Sequence, residues 1–216
     1  MCYFSIVMDI ISNFVVFEGG DGSGTSTQIA RLEHFFGEKA PKGLVCSPTF
    51  EPTGGPIGKI IRSALKNELN LKPETLARLF AADRNEHLYA AGGIIERCGK
   101  GELVVCDRYI LSSFVYQGID CGDEIPRSLN ASFPFPQTLL FFDVDPNITQ
   151  QRLGSRSSLD IYENLTFQEK VRAKYLSLLD HFRENGVCVE IIDASQTVEK
   201  VSEEVWRVLA KMPIFS

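Results

Sequence analysis

NFVVFEGGDGSGTST, residues 13–27, passes from a run of β-branched and aromatic side chains into a glycine-rich turn. A buried strand ending near Glu18, then such a turn, then a helix beginning near Thr25 aims backbone N–H groups and a helix N-terminus at an anion. The phosphate-loop pattern G-x-x-x-x-G-K-[ST] is met by Gly19, Gly24 and Ser26, while Thr25 holds the lysine position. The loop Gly19, Gly20, Asp21, Gly22, Ser23, Gly24, Thr25, Ser26 and Thr27 is therefore read as a nucleotide-phosphate site. Ser26 supplies a hydroxyl of the kind that ligates Mg²⁺. Threonine cannot neutralise phosphate charge as lysine does, so the missing cation must come from elsewhere or the activity is lost.

Outward from that loop, apolar runs alternate with segments of helical period. Strands are expected at 13–19, 43–47, 102–107, 137–145 and 187–193, each apolar on both faces as buried parallel strands are. Helices are expected at about 25–36, 56–67, 73–97, 109–117, 146–154, 165–184 and 196–210, with Pro73 opening the long central one. This alternation implies an α/β protein with a five-stranded parallel sheet between two helical layers. The 216 residues, 44% hydrophobic, suffice for a full core and read as one domain. Segment 118–136 is the least regular.

A net charge of −6 and a pI near 5.2 argue against nucleic-acid binding, so an anionic ligand must meet a local arginine cluster. The six cysteines include no C-x-x-C pair, and Cys46, Cys106 and Cys188 lie in apolar runs, which fits free buried thiols in a reducing cytoplasm. No run approaches the ~20 apolar residues of a membrane helix. The opening MCYFSIVMDIIS lacks the marks of a signal peptide. Residues 1–12 read as an extension, with translation expected to begin at Met8. His34, His87 and His181 share no spacing and are assigned to surface or packing.

Three further stretches narrow the reading. In LFAADR (79–84), Phe80 and Arg84 are four apart and project together, the ring able to stack on a base and the guanidinium to donate to a carbonyl. DRYILSSFVYQG (107–118) follows the third strand. Asp107 is placed to hold Mg²⁺ through water and Arg108 to grip a phosphate, while Ser112 with Tyr116, and Ser113 with Gln117, recur at helical spacing. QQRLGSRSS (150–158) carries Arg152 and Arg156 four apart, and DIYEN (160–164) reads as part of a lid spanning about 152–164.

With FEGGDGSGTSTQ, EPTGGPIGKIIR, LFAADR, DRYILSSFVYQG, DVDP, DIYENLTFQEKV and IIDASQ in order over about residues 13–200, the chain resembles the thymidylate kinases. These are nucleoside-monophosphate kinases with a phosphate-loop fold. The resemblance implies a homodimeric, Mg²⁺-dependent cytoplasmic enzyme that transfers the γ-phosphate of ATP to dTMP. It assigns Asp21 to the sugar 3′-hydroxyl, Phe80 to thymine stacking, Arg84 to a thymine carbonyl and Arg108 to the acceptor phosphate. It places Tyr116 against a ribose 2′-hydroxyl, puts Gln117 and Tyr162 in the same pocket, and sets Ala194 on the adenine side. Three departures stand out: Thr25 for lysine, and Phe50 and Ile161 where relatives carry arginines. Arg156, assisted by Arg152, is the expected replacement cation. A deoxynucleoside kinase and a catalytically silent nucleotide-binding relative stay open as alternatives.

Overall fold

The computed structural model describes residues 9–39, 43–153 and 165–215. Five parallel strands form one sheet: β1 (Ile10–Gly19), β2 (Cys46–Phe50), β3 (Leu103–Asp107), β4 (Phe135–Asp143) and β5 (Cys188–Asp193), in the order β2-β3-β1-β4-β5. Around it lie α1 (Thr25–Lys39), α2 (Pro56–Leu65), α3 (Pro73–Tyr89), α4 (Ile94–Gly99), α5 (Ile110–Cys121), α6 (Glu124–Asn130), α7 (Pro146–Leu153), α8 (Leu165–Glu184) and α9 (Val198–Leu209).

The strand alternation sorts the core into two layers. Phe14 and Val16 of β1 join Val104, Cys106, Leu139 and Phe141 under α3, α4, α5 and α8. Val15 and Phe17 join Leu103, Val105, Leu140 and Phe142 under α1 and α9. Phe14 through Phe17 are all fully buried, so β1 is the central element of both cores. Truncating either phenylalanine to alanine would cost about 3–5 kcal/mol. The expected three-layer α/β/α arrangement is observed.

Several boundaries differ from the sequence expectations. β2 lies at 46–50 rather than 43–47, because Cys46–Phe50 pair with Leu103–Asp107 while Val45 is exposed. Pro48 is tolerated because β2 is an edge strand, where a missing N–H breaks no ladder. The helix expected over 73–97 is two: α3 ends at Tyr89, and Gly92 turns the chain through left-handed backbone (φ 73°) before α4. Segment 118–136 is more regular than expected, holding the end of α5, all of α6 and the start of β4. Residues 10–12, expected in an extension, belong to β1, whereas Met8 lies outside the described residues. The five described cysteines are free; Cys98 and Cys106 are buried, but Cys188 is exposed, contrary to expectation. No described helix is long and apolar enough to cross a membrane.

Candidate active site

The carboxyl ends of β1 and β3 converge on two adjoining cavities. β1 stops at Gly19, where an added Cβ would meet Ser23 Oγ at 2.5 Å and the Phe142 carbonyl at 3.1 Å, so only glycine lets the loop turn here. Ser23 N–H donates to the Gly20 carbonyl (3.1 Å), closing the turn, and α1 follows with no acidic side chain in its first turn. That leaves the helix N-terminus electropositive. The first cavity, about 620 Å³, is lined by Gly20 through Gln28 together with Asp107, Arg108, Arg152, Ala194 and Gln196–Val198. Arg152, near the end of α7, donates through Nη1 to the Ala194 carbonyl (2.9 Å) and through Nη2 to that of Ser195 (3.3 Å). It therefore holds the loop after β5 at the cavity wall.

Asp107 ends β3. Its Oδ2 accepts from Ser26 Oγ at 2.6 Å, while its Oδ1 is buried with no partner among the described residues. An unsatisfied buried carboxylate oxygen costs more than a hydrogen bond gains. Hard cations take oxygen donors of this kind. The Ser26–Asp107 pair offers donors of that kind.

Arg108 follows immediately, in the left-handed region (φ 67°), with its N–H bonded to the Phe17 carbonyl (2.9 Å). This unusual backbone for a bulky residue turns the guanidinium back over the loop. Its Nη2 donates to Asp21 Oδ1 at 2.6 Å, and its Nη1 lies within 3.3–3.4 Å of Ser112 Oγ and the Tyr116 and Tyr175 hydroxyls. Tyr116 also presents its ring face, 5.2 Å from the guanidinium carbon. Burial pushes the Tyr116 phenol above its ordinary value, so it stays protonated. Asp21 Oδ2 accepts from Gln168 Nε2 on α8 at 2.8 Å.

The second cavity, about 290 Å³, shares Asp21 and Arg108 with the first. Its walls include Arg62, Leu65, Lys66, Phe80, Arg84, Ser112, Ser113, Tyr116 and Gln117. Arg84 is not a solvent arginine, being 1% exposed. Its Nε and Nη2 donate to Glu51 Oε2 at 3.0 and 2.7 Å, Nη2 also to Ser113 Oγ at 3.1 Å, and Nη1 to Asn130 Oδ1. A guanidinium has five N–H donors, so these bonds leave one unused among the described residues. His87 braces the same carboxylate, with Nδ1 3.1 Å from Glu51 Oε1 and Nε2 2.6 Å from Thr49 Oγ1. The loop after Glu51 is tied down by buried Asp83, which accepts from Thr53 N–H and Oγ1 at 2.6 and 2.7 Å, and by Arg62, which donates to the Pro52 and Thr53 carbonyls.

The structure thus gathers Asp21, Phe80, Arg84, Arg108, Ser112, Ser113, Tyr116 and Gln117 around one cavity, and the loop with Asp107, Arg152 and Ala194 around the other. Gly19 shapes the turn without lining either. Arg156 and Tyr162 lie outside the described residues, as does the lid over 154–164; its expected first residues, 152 and 153, belong to α7.

A family profile described as thymidylate kinase matches residues 17–205. The chain belongs to the thymidylate kinase family. A putative thymidylate kinase of Treponema pallidum is 41% identical over 201 residues, covering 92% of this chain and 95% of that protein. A thymidylate kinase of Caldicellulosiruptor saccharolyticus is 39% identical over 91% of this chain and 95% of its own length. A probable thymidylate kinase of Methanococcus aeolicus is 36% identical over 90% and 94%. Membership makes the chain an enzyme, a kinase of nucleotide biosynthesis acting on nucleotide substrates.

Sequence reasoning missed several parts of this thymidylate kinase site. Glu51 and Asn130 hold Arg84, Asp83 ties down the loop after Glu51, Arg62 and Lys66 line the smaller cavity, and Glu18, Gln168 and Tyr175 surround the Asp21–Arg108 pair. Glu51 and Asp83 stood inside quoted motifs, and a charge in an otherwise apolar segment was the available signal. Gln168 stood inside the quoted DIYENLTFQEKV as well, whereas Tyr175, seven positions further along α8, carried no signal.

Proposed function

We propose the division of labour by which the family's reaction, phosphorylation of dTMP with ATP as donor, proceeds on this chain. The larger cavity takes the triphosphate of ATP on the Gly20–Thr27 amides. The smaller takes dTMP, with thymine against Phe80, a thymine carbonyl on the remaining Arg84 N–H, and the phosphate on Arg108. The single observation that carries this reading is that Asp21 and Arg108 line both cavities, so two ligands would bring their phosphates together at that pair.

Ser26 and Asp107 would hold Mg²⁺, which when bound neutralises charge on the donor phosphates. The protein's part is then to align two phosphates and screen their repulsion. The acceptor phosphate is already ionised at neutral pH, and no strong general base is required. Binding it requires Arg108 to release or share its bond to Asp21, which frees Asp21 to accept from the sugar 3′-hydroxyl. Tyr116 crowds a ribose 2′-hydroxyl, and Gln117 with Tyr162 completes the pocket. Arg156, assisted by Arg152, supplies the positive charge that Thr25 withholds. The chain acts as a homodimer in the cytoplasm, an expectation carried by the family resemblance and checked by light scattering of the purified protein.

A coupled assay of ADP release, with dTMP and thymidine compared as acceptors, tests the assignment. Turnover of dTMP without turnover of thymidine is the expected result. Turnover of thymidine would instead make the chain a deoxynucleoside kinase. Binding of both nucleotides without transfer would identify a silent relative, the reading Thr25 favours.

A further inference from the structure

Glu18, the last side chain of β1 before the loop, is fully buried and belongs to neither cavity wall. Its Oε1 accepts from the backbone N–H groups of Tyr109 (2.9 Å) and Ser112 (3.1 Å). Its Oε2 accepts from Ser112 Oγ (2.5 Å) and from the hydroxyl of Tyr175 on α8 (3.0 Å). These contacts satisfy a group whose burial would otherwise be costly, and Ser112 Oγ and the Tyr175 hydroxyl also bond each other at 2.8 Å, which closes the set. With its single proton spent inside this set, each hydroxyl oxygen keeps a lone pair for a further donor. Both oxygens then face Arg108 Nη1, at 3.4 Å for Ser112 and 3.3 Å for Tyr175.

The carboxylate therefore reaches Arg108 through two oriented hydroxyls on different helices. Coulombic attraction to Arg108 and these hydrogen bonds oppose the burial that raises the Glu18 carboxyl above its ordinary value. The opposite end of the guanidinium is held directly by Asp21. Only that end must let go when an acceptor phosphate arrives, and the Nη1 end needs a fixed seat for the fork to stay aimed.

We infer that Glu18 and Tyr175 are positioning residues: with Ser112 they seat the Nη1 edge of Arg108 so that its Nη2 edge faces the acceptor phosphate. The inference rests on the proposed role of Arg108 and extends it inward to residues that touch no substrate. The Tyr175 ring packs on Phe141 (5.1 Å between centroids), so Tyr175→Phe removes the hydroxyl and keeps the packing.

The test is a steady-state comparison of Tyr175→Phe in the parental chain and in an Arg108→Lys background, with dTMP and ATP varied separately and the unfolding midpoint recorded. Losing a hydrogen bond to a charged group predicts a rise of about tenfold in KM for dTMP in the parental chain. KM for ATP should not change, and the rise should disappear when Arg108 is lysine. Should Tyr175→Phe not fold, Ser112→Ala removes the other hydroxyl and carries the same comparison. An equal loss in both backgrounds, an equal effect on both substrates, or an unchanged KM for dTMP would overturn the inference. Arg108→Lys itself leaving KM for dTMP unchanged would instead overturn the role assigned to Arg108.

Discussion

The smaller cavity, proposed for the acceptor, carries its positive charge on the scaffold, in Arg62, Lys66, Arg84 and Arg108, whereas among the described residues the larger, proposed for the donor, is met by Arg108 and Arg152 alone. The polar groups behind the acceptor cavity are also satisfied by one another: Arg84 by Glu51, Ser113 and Asn130, and Asp83 by Thr53. Across the shared Asp21–Arg108 pair, Asp107 keeps a buried oxygen without a partner among the described residues, and the loop offers threonine where a lysine belongs. The difference separates two ways of binding an anion. On one side the fold bears the cost of assembling charge beforehand. On the other, charge is proposed to arrive with Mg²⁺ and with Arg156.

The comparison breaks first at Arg108, because both sides use it. Arg108→Ala should lower kcat/KM for dTMP by about 10³-fold or more, the scale of a cationic group acting on a transferring phosphoryl group. A loss under tenfold in the coupled assay would show that the cavities do not meet there.

Paired substitutions on the two sides sharpen it. Glu51→Ala leaves Arg84 buried and unpaired and should destabilise by about 3–5 kcal/mol. That lowers the unfolding midpoint by roughly 2–4 °C per kcal/mol in a chain of this size. Asp107→Ala removes an already unsatisfied oxygen and should shift stability by less than about 1 kcal/mol. Its cost should fall on activity instead, about 10- to 100-fold and eased by raised Mg²⁺, as for residues that hold a metal through water. Similar stability losses in both variants, read by thermal unfolding, would erase the distinction.

The smallest effect concerns pH. Burial holds the Glu18 carboxyl above its ordinary 4.5, so the folded chain keeps a proton that the unfolded chain has already released. In that window the native state binds more protons, and the stability this group contributes falls as pH rises from about 4.5 toward its folded value. Glu18→Gln should flatten that part of the urea stability profile. An unchanged slope would show that Glu18 ionises normally in the fold.

The sheet was legible because parallel strands covered on both faces read as unbroken apolar runs, and Phe14–Phe17 is such a run. β2 was misplaced because its edge position tolerates Pro48 and leaves its flanks exposed. The residues facing the cavities were legible where helical spacing joins them, as with Phe80 and Arg84 or Ser113 and Gln117. What supports them was not, since Arg84 is held by Glu51, 33 positions away, and by Asn130 in a segment with no clear period. Tyr175 and Glu18 lie 157 positions apart, a pairing made by tertiary packing and written in no local pattern.

The central claim is that guanidinium charge from the segment after α7 replaces the absent loop lysine. Single-turnover transfer from ATP to dTMP by Arg156→Ala, in the presence of Mg²⁺, tests it most directly. A transfer rate lowered by about 10³-fold with dTMP still bound is the predicted result. Transfer at the parental rate would contradict it.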